Sequence, residues 1–277
     1  MRTIVFWNIN EANAGPACAD LVRESDADIL AIAEPPTDRA ELLTLLCGVD
    51  ANFRQLFSPN ARVTIFSRVP AQYLRAVRDN DIYSAWFLDT PLELPVLLIV
   101  VHFWSKAFLD DDEQATLSYR LREEIDSLET LLQTDRTIVV GDLNMDPYSR
   151  HIANSEGLHS VMCRHIAARG SRVVKAVQRR MFYNPMWSLL GDHPGGPPGT
   201  YFFDRSGHPV NMFWHSFDQV LLRPSLLDEF CFSELRIVTT TKTTSLVNGD
   251  GAPAKEVASD HLPIVFSLQL KDRPHVG

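Results

Sequence analysis

Short apolar runs recur along the chain, and they constrain the possible folds most strongly. Each is shorter than a typical helix and rich in Val, Ile, Leu and Phe, as expected of strands buried in a sheet. They lie at residues 3–8, 29–33, 63–67, 83–88, 96–103, 137–140, 219–222, 236–240 and 264–268. Some follow one another directly and others are separated by helical segments, which predicts mixed sheets covered by helices rather than a doubly wound parallel sheet.

Two helices are predicted. The first follows Gly15 and Pro16 and ends near Glu24, and the second covers about residues 112–133. The second helix has an apolar stripe with a period of 3.6 residues. The stripe consists of Leu117, Leu121, Ile125, Leu128 and Leu132. The acidic residues at 110–113 suit the positive end of this helix's dipole, so we interpret them as structural.

The 277 residues contain no linker rich in Pro, Gly or Ser that would divide the chain. We therefore expect one domain over residues 1–270, with a tail at 271–277 and a loop and helix insertion at about 163–201. The net charge of −9 argues against a protein that coats polyanions, because such proteins are basic overall. It does not exclude an enzyme that neutralises phosphate locally.

Four cysteines, Cys18, Cys47, Cys163 and Cys231, show neither CxxC pairing nor the spacing of a disulfide framework. They predict reduced thiols and a cytoplasmic location. The first residues predict a strand rather than a signal peptide, since the apolar run is short and lacks a cleavage site. No apolar stretch approaches the ~20 residues of a membrane span, so no membrane association is expected.

Polar residues crowd the end of one predicted strand, in the stretch "TIVVGDLNMDP". Asp142, Asn144 and Asp146 have the spacing that opens a calcium-binding EF-hand loop. That loop needs Gly at its sixth position, where this chain has Pro147, and Glu at its twelfth, where it has Ala153. The calcium loop is therefore rejected. The stretch alone leaves two interpretations open, a solvated turn or a strand end that directs polar groups into a cleft.

Other predicted strands also end or begin on groups suited to catalysis. These groups are Asn8, Asn10, Glu34, His102, Asp142, Asn144, Asp218, Asp260 and His261. Glu34 and Asp260 offer the hard oxygen ligands that Mg²⁺ prefers. Asp142 can accept a proton from water, while a carboxylate such as Asp218 can hold His261 in its charged form. The residue types together suit hydrolysis at phosphorus.

Six motifs, in this order, resemble the endonuclease/exonuclease/phosphatase superfamily across residues 3–270. They read "FWNIN", "ADILAIAE", "VVHF", "VVGDLN", "FDQVL" and "SDHLPI". The most specific are the fourth and the last. The resemblance implies an α/β fold, a four-layer α/β sandwich in which two mixed β-sheets pack face to face between helices. It also implies hydrolysis of phosphoester bonds with Mg²⁺ or Mn²⁺ as cofactor.

The resemblance also implies a role for each matched residue. Glu34 and Asp260 bind the metal, and Asn10, which stands where some members have Asp, lies beside them. Asp142 activates water, and Asn144, two residues along an extended backbone, points to the same side and holds water or phosphate. His261, paired with Asp218, contacts the scissile phosphate, and Asn8 and His102 complete the pocket. Asp146 is interpreted as a turn residue, and His215 as structural.

A basic segment interrupts the resemblance. It contains Arg164, Arg169, Arg172, Lys175, Arg179 and Arg180, and aromatic residues follow it. Two interpretations remain open: a groove for a phosphate backbone, in which Arg172, Lys175, Arg179 and Arg180 bind substrate, or a helix with a solvated basic face. Trp104 and Lys106 follow His102 closely enough to contact substrate as well.

The sequence thus predicts a metal-dependent phosphodiester hydrolase with a nucleic-acid substrate, and DNA is the expected one. One alternative keeps the chemistry but takes RNA, or a small or lipid phosphate such as an inositol phosphate. Another alternative is a binding module on the same scaffold that has no activity. The presence of a suitable residue at every catalytic position disfavours it. Enzymes and binding modules of this kind differ in whether the carboxylates are retained.

Overall fold

The computed structural model describes residues 1–105, 110–193, 196–204, 207 and 209–274. Lys106 lies outside the described residues. The strands are β1 (Arg2–Asn8), β2 (Ile29–Ala33), β3 (Arg54–Leu56), β4 (Val63–Ser67), β5 (Leu74–Asp79), β6 (Tyr83–Leu88), β7 (Val96–His102), β8 (Thr137–Asp142), β9 (Ser160–Val161), β10 (Ser171–Val174), β11 (Val177–Arg180), β12 (Phe182–Tyr183), β13 (Tyr201–Phe203), β14 (Phe213–His215), β15 (Asp218–Leu222), β16 (Phe230–Ile237) and β17 (Ile264–Leu268). The α-helices are α1 (Gly15–Ser25), α2 (Ala40–Val49), α3 (Asp111–Leu132), α4 (Arg150–Ala153) and α5 (Arg164–Ala167).

Two mixed sheets form the centre of the protein. The first has six strands in the order β16-β17-β1-β2-β4-β3, and the second has seven in the order β5-β6-β7-β8-β15-β12-β9. Each sheet contains a parallel pair that matters for the site, β1 with β2 and β7 with β8. Two further antiparallel pairs, β10 with β11 and β13 with β14, form hairpins outside these sheets.

The alternation of side chains on the second sheet determines how the layers pack. Leu98, Val100 and Val140 belong to a core shared with the first sheet and with α1. Ile99 and Val139, on the opposite face, pack instead against the apolar stripe of α3. Because successive side chains on a strand point to opposite faces, both faces are covered. The result is the predicted four-layer sandwich, and the predicted fold class is confirmed.

Helix α3 follows the sequence prediction closely. Leu121, Ile125 and Leu128 are buried, and the two end members of the predicted stripe pack half-buried beside them. Asp110 accepts hydrogen bonds from the first turn, and the Glu113 carboxylate accepts one from the backbone N–H of Asp110, which completes a capping box. The structural interpretation of the acidic run is confirmed.

The prediction was less accurate at the sheet edges and in the insertion. In place of the predicted strand at 236–240, the structure has an edge strand that begins at Phe230 and ends at Ile237. Its first part was not predicted because the polar residues in its middle interrupt the apolar run. Among its described residues, the predicted insertion at 163–201 contains the short helix α5, a 3-10 helix at Pro185–Leu189 and the strands β10 to β12, and β13 begins at its last residue. Valines on both sides of a tight turn favour a hairpin there over an amphipathic helix.

All four cysteines are free thiols. None of the helices in the described part of the chain has the length and apolar character needed to cross a bilayer. The single-domain organisation and the cytoplasmic location stay predictions.

A buried ionic network closes the sheet at the end where β8 begins. Glu129 of α3 accepts hydrogen bonds from Arg223 Nε at 2.8 Å and from Thr137 Oγ1 at 2.6 Å, and Arg180 also bonds to it. The Arg223 guanidinium lies 4.0 Å from the centre of the Phe182 ring. Burial lowers the pKa of Arg223, and the charge of Glu129 opposes that shift. The network joins α3, β8, β11 and β15 at one point.

Replacing Arg223 should therefore destabilise the fold. Arg223→Met leaves Glu129 buried with less compensation, and we expect a loss of about 3 kcal/mol in the free energy of unfolding, measured in urea. Arg120→Met, at an exposed position of α3, is the matched control and should change stability by less than about 0.5 kcal/mol. Equal losses for the two variants would show that the network does not stabilise the fold.

Candidate active site

Three predicted residues lie in one row across the second sheet. His102 of β7 is in register with Asp142 of β8, and Asp142 is in register with Asp218 of β15. Residues in register point to the same face of a sheet, so these three side chains meet. His102 and Asp142 end parallel strands, and Asp218 begins an antiparallel one, so all three lie at the same edge. All three are buried. The row places two carboxylates and an imidazole at one edge of the sheet.

Gly141 permits the close approach of β7 and β8 beside this row. Its φ is +155°, and a Cβ there would meet the carbonyl oxygen of Val101 in β7, which leaves no room for any side chain. The glycine of the "GDLN" motif is thus required by the spacing of the strands that carry His102 and Asp142.

The first sheet supplies its residues at the matching edge. Asn8 ends β1 and is in register with Ala33 of β2, so Glu34 follows beside it. The Asn8 amide donates to Glu34 Oε1 at 3.2 Å and to Asp142 Oδ2 at 3.0 Å. One side chain therefore joins the carboxylates of the two sheets.

The backbone is left-handed at three of these positions. Asn10, Glu34 and Asn144 have φ of +48°, +45° and +49°. A residue other than glycine in this region costs about 1 kcal/mol or more, and such residues concentrate at functional sites. Each lies just beyond a strand and turns its side chain back toward the cluster.

Asn144 corrects one prediction. It was expected on extended backbone, but its positive φ makes a turn, and the turn brings it back to Asp142. Its backbone N–H donates to Asp142 Oδ1 at 2.8 Å, and its amide donates to Asp142 Oδ2 at 3.1 Å and to the Phe103 carbonyl at 3.0 Å. Asn144 thus fixes the orientation of the Asp142 carboxylate.

His261 pairs with Asp218, as predicted, at 2.8 Å between Nδ1 and Oδ2. Its Nε2 lies 4.0 Å from Asp142 Oδ2. Burial lowers the pKa of His261, but the charge and hydrogen bond of Asp218 and the charges of Asp142 and Asp260 outweigh burial and raise it to about 10. The ring is therefore an imidazolium at neutral pH, with Nε2–H directed toward the cluster.

The two remaining carboxylates of the cluster differ in their electrostatics. Burial raises the pKa of Asp142, and the charge of Asp218 raises it further, whereas the charges of His261 and His102 lower it. A hydrogen bond from His102 holds the pKa of Glu34 at about 2, although burial opposes that shift. Oε1 of Glu34 lies 3.1 Å from His102 Nε2. Glu34 is thus firmly ionised, while Asp142 takes up a proton more readily than an ordinary Asp.

Arg62 belongs to the site, and sequence reasoning missed it. Its Nη2 lies 3.2 Å from His102 Nε2, and its guanidinium lies 3.7 Å from the centre of the Trp104 ring. Its Nη1 is buried without a hydrogen-bond partner among the described residues. Arg62 precedes β4, which runs antiparallel to β2, so the start of that strand reaches the site edge. The signal that could have found it is a cation directly before the predicted strand at 63–67.

An aromatic path leads outward from His261. The Tyr201 ring lies 4.6 Å from the His261 ring, and Phe217 and Phe203 stack on Tyr201 at 5.2 Å and 6.4 Å. Phe203 is 46% exposed. Tyr201 was predicted only as the end of the insertion at about 163–201.

Asp146 does more than the predicted turn residue would. It accepts hydrogen bonds from the Ser216 backbone at 2.9 Å and from His215 Nδ1 at 2.8 Å. These bonds tie the loop after Asp142 to the chain that leads into Asp218, so His215 and Asp146 hold two parts of the site together.

The donor set fits a divalent metal ion. The carboxylate oxygens of Asp142 and Asp218 lie within 4.8 Å of each other and of the His261 ring, which is charged and therefore ligates no metal, and Asp218 Oδ1 is buried with no hydrogen-bond partner among the described residues. Asn10 and Asp260, predicted near the metal, meet at 3.2 Å between Nδ2 and Oδ1. Oxygen donors dominate, as for Mg²⁺ or Mn²⁺.

Not every predicted residue reaches the cluster. Trp104, 37% exposed, lies at its rim on Arg62. Arg172, Lys175, Arg179 and Arg180 belong to the hairpin of β10 and β11, and Arg180 bonds to Glu129 at the opposite end of β8. The structure does not bring these four residues to the cluster.

Comparisons with known proteins agree with this architecture. The sequence profile of the Endonuclease/Exonuclease/phosphatase family matches residues 5–261. Among solved structures, the chain is similar to an endonuclease/exonuclease/phosphatase family protein from Leptotrichia buccalis C-1013-b, with 12% identity, a TM-score of 0.59 and coverage of 97% of this chain and 99% of that one. Identity at this level shows the fold alone. A sequence comparison with curated proteins gives no match.

Two further structures show the same likeness. An AP endonuclease from Archaeoglobus fulgidus has 14% identity and a TM-score of 0.58, and the match covers 98% of this chain and all 100% of that one. The 3′ phosphatase NExo from Neisseria, bound to a product DNA hairpin, has 18% identity and a TM-score of 0.55, over 97% of this chain and 99% of that one.

The role of Gly141 can be tested by stability. Gly141→Ala should lower the free energy of unfolding by about 2–4 kcal/mol, because the added Cβ must displace the backbone of β7. Gly48→Ala is the matched control, since no atom lies within 4 Å of the Cβ it would add in α2. It should be neutral or stabilising by up to about 1 kcal/mol. A neutral Gly141→Ala in urea denaturation would contradict the proposed constraint.

Proposed function

The chain belongs to the endonuclease/exonuclease/phosphatase family, and we propose that it is a divalent-metal-dependent phosphodiester hydrolase that acts on nucleic acid, with DNA as the first substrate to test. The observation that carries the proposal is the pair formed by Asp142 and His261. Their nearest side-chain atoms, Oδ2 and Nε2, face each other at 4.0 Å. An acceptor of protons and a cationic donor thus flank one small space.

This pair suits an attack of water on phosphorus. Asp142 takes the proton of the water as its oxygen bonds to phosphorus, while His261 donates from Nε2 to a phosphate oxygen on which charge develops. The bond from phosphorus to the leaving oxygen then breaks, solvent water protonates that oxygen, and Asp142 releases its proton to solvent, so that the enzyme returns to its starting state. Asn144 keeps the Asp142 carboxylate aligned, and Asp218 keeps His261 charged and oriented.

Glu34 and Asp260, with Asn10 beside them, are the residues proposed to hold Mg²⁺ or Mn²⁺. The ion would polarise a phosphate oxygen and offset negative charge in the transition state. Even without counting the ion, the chain's own Arg62 and His261 bring two cations to a cluster of carboxylates.

The surroundings of the site favour nucleic acid over a small phosphate. Trp104 on one side and Phe203 on the other present exposed aromatic surface within reach of bases. Two of the similar structures are an AP endonuclease and a 3′ phosphatase bound to a product DNA hairpin. These likenesses also support a nucleic-acid substrate.

A substrate panel tests the proposal. Purified protein with Mg²⁺ or Mn²⁺ should cut single- or double-stranded DNA, and Asp142→Asn should reduce kcat by at least about 10³-fold, because the water then lacks its base. The same panel should include RNA, inositol phosphates and a lipid phosphodiester. Hydrolysis of small phosphates alone would replace the nucleic-acid assignment, and equal rates for wild type and Asp142→Asn would refute the mechanism.

Arg62 should bind the phosphate, because its guanidinium lies beside His102 at the edge of the cluster. Arg62→Met should lower kcat/KM by about 10²-fold, as for the loss of one charged donor to the transition state, and Arg62→Lys should recover only part of it. Arg75→Met is a matched control, because Arg75 also lies over an aromatic ring, Phe87, at 5.1 Å but away from the site. An Arg62→Met enzyme with unchanged kcat/KM would place Arg62 outside the reaction.

A further inference from the structure

One segment of this acidic protein carries no acidic residue. Residues 157–191 lack Asp and Glu altogether, although the chain contains 35 of them, and the net charge of the whole chain is −9. The cations of the segment are Arg164, Arg169, Arg172, Lys175, Arg179 and Arg180. Such an exclusion of carboxylates indicates a surface that meets a polyanion.

The hairpin of β10 and β11 concentrates these charges. Arg172 and Arg179 are directly opposite each other across the two strands. Like charges in that arrangement destabilise a sheet, so folding alone does not account for them. Lys175 and Ala176 form the turn with φ of +47° and +63°, which projects the lysine from the tip. We call this element, with Arg169 at its base, the basic hairpin.

Most cations of the basic hairpin lack a carboxylate partner. Arg172 Nε donates to His159 Nε2 at 2.8 Å, and His159 Nδ1 lies 3.0 Å from the Arg180 carbonyl, so the imidazole is neutral. Burial, with the charge of Arg172, lowers the pKa of His159, in agreement with that state. Arg179 reaches Glu156 only at 3.8 Å. Within the described residues, Arg169, Arg172 and Lys175 form no ion pair.

The basic hairpin stands apart from the active site. Its base and residues next to β8 and β15 line a cavity of about 400 Å³, which contacts Asp135 and Pro224. Those two residues lie before the start of β8 and after the end of β15, whereas Asp142 and Asp218 lie at the other end of the same strands. The two ends of β8, Thr137 and Asp142, are five residue steps apart, which is about 17 Å.

From this placement we propose that the basic hairpin is a second binding site that holds the phosphate backbone of a nucleic-acid strand beyond the cleaved bond. The proposal rests on the proposed function for its substrate class. A guanidinium offers paired donors that match phosphate oxygens. Arg172 and Lys175 are exposed on one narrow ribbon, and Arg179, 20% exposed, lies directly opposite Arg172. The length of β8, which separates the two sites along the sheet, corresponds to about five base pairs of duplex, so only longer substrates can contact both sites.

The decisive measurement compares substrate lengths. With wild-type enzyme, strands of about twenty nucleotides should have a KM about tenfold lower than strands of about four nucleotides cut at the same sequence. In the triple variant Arg172→Gln, Lys175→Gln and Arg179→Gln, the KM for the long strand should rise to that for the short strand. The kcat values should stay unchanged. The slope of log affinity against log salt should fall by about 2.

The matched control removes the same charge elsewhere. Arg75→Gln, Arg120→Gln and Lys242→Gln replace three exposed cations on other parts of the surface, and this variant should keep the length dependence. If the hairpin variant keeps it as well, the second site does not exist. Equal melting temperatures of the two variants would exclude unfolding as the cause.

A binding assay separates this proposal from the proposed function. If wild type cuts no nucleic acid, fluorescence anisotropy with a labelled strand of about twenty nucleotides still reports on the basic hairpin. Weaker binding by the hairpin variant than by the control variant would support the second site even then. Equal binding by both variants would overturn it, as would displacement of the strand by polyglutamate as effectively as by unlabelled DNA.

Discussion

The site depends on one side-chain amide that spans the interface between the sheets. Asn8 ends a strand of the first sheet, and its Nδ2 bonds both to Glu34 of that sheet and to Asp142 of the second. This is possible only because the sheets pack face to face with the ends of β1 and β7 at the same edge. The shared apolar core fixes that alignment, and the chemistry follows from it.

The sequence carried enough information to predict most of this edge. A strand that is buried on both faces reads as a continuous apolar run, so its end is easy to locate, and a polar residue just beyond it is conspicuous. Asn8, Glu34, His102 and Asp142 were all found in this way. Arg62 was not, because the groups expected at strand boundaries were carboxylates, amides and imidazoles, and its approach to His102 depends on the pairing of β4 with β2.

Local backbone conformation was the other limit. Asn144 was expected on extended backbone after Asp142. Its φ is left-handed instead, and the resulting turn lets its side-chain amide donate a hydrogen bond to the Asp142 carboxylate. The basic segment was left between two interpretations, and it forms a hairpin whose pairing of Arg172 with Arg179 no local pattern reveals. In both cases a turn decides which groups meet, and turns are set by few residues.

The two ends of β8 and β15 show how the fold divides structural from functional charge. At the end where β8 begins, Arg223 and Arg136 bond to Glu129 and Glu229, so each buried guanidinium has its carboxylate. At the other end, Asp218 Oδ1 is buried without a hydrogen bond within the described residues. Leaving a buried charge partly unsatisfied costs stability. A fold that pairs these two buried guanidinium groups at one end and leaves Asp218 Oδ1 incompletely bonded at the other has kept hydrogen-bonding capacity at the end where the proposed phosphate and metal would bind.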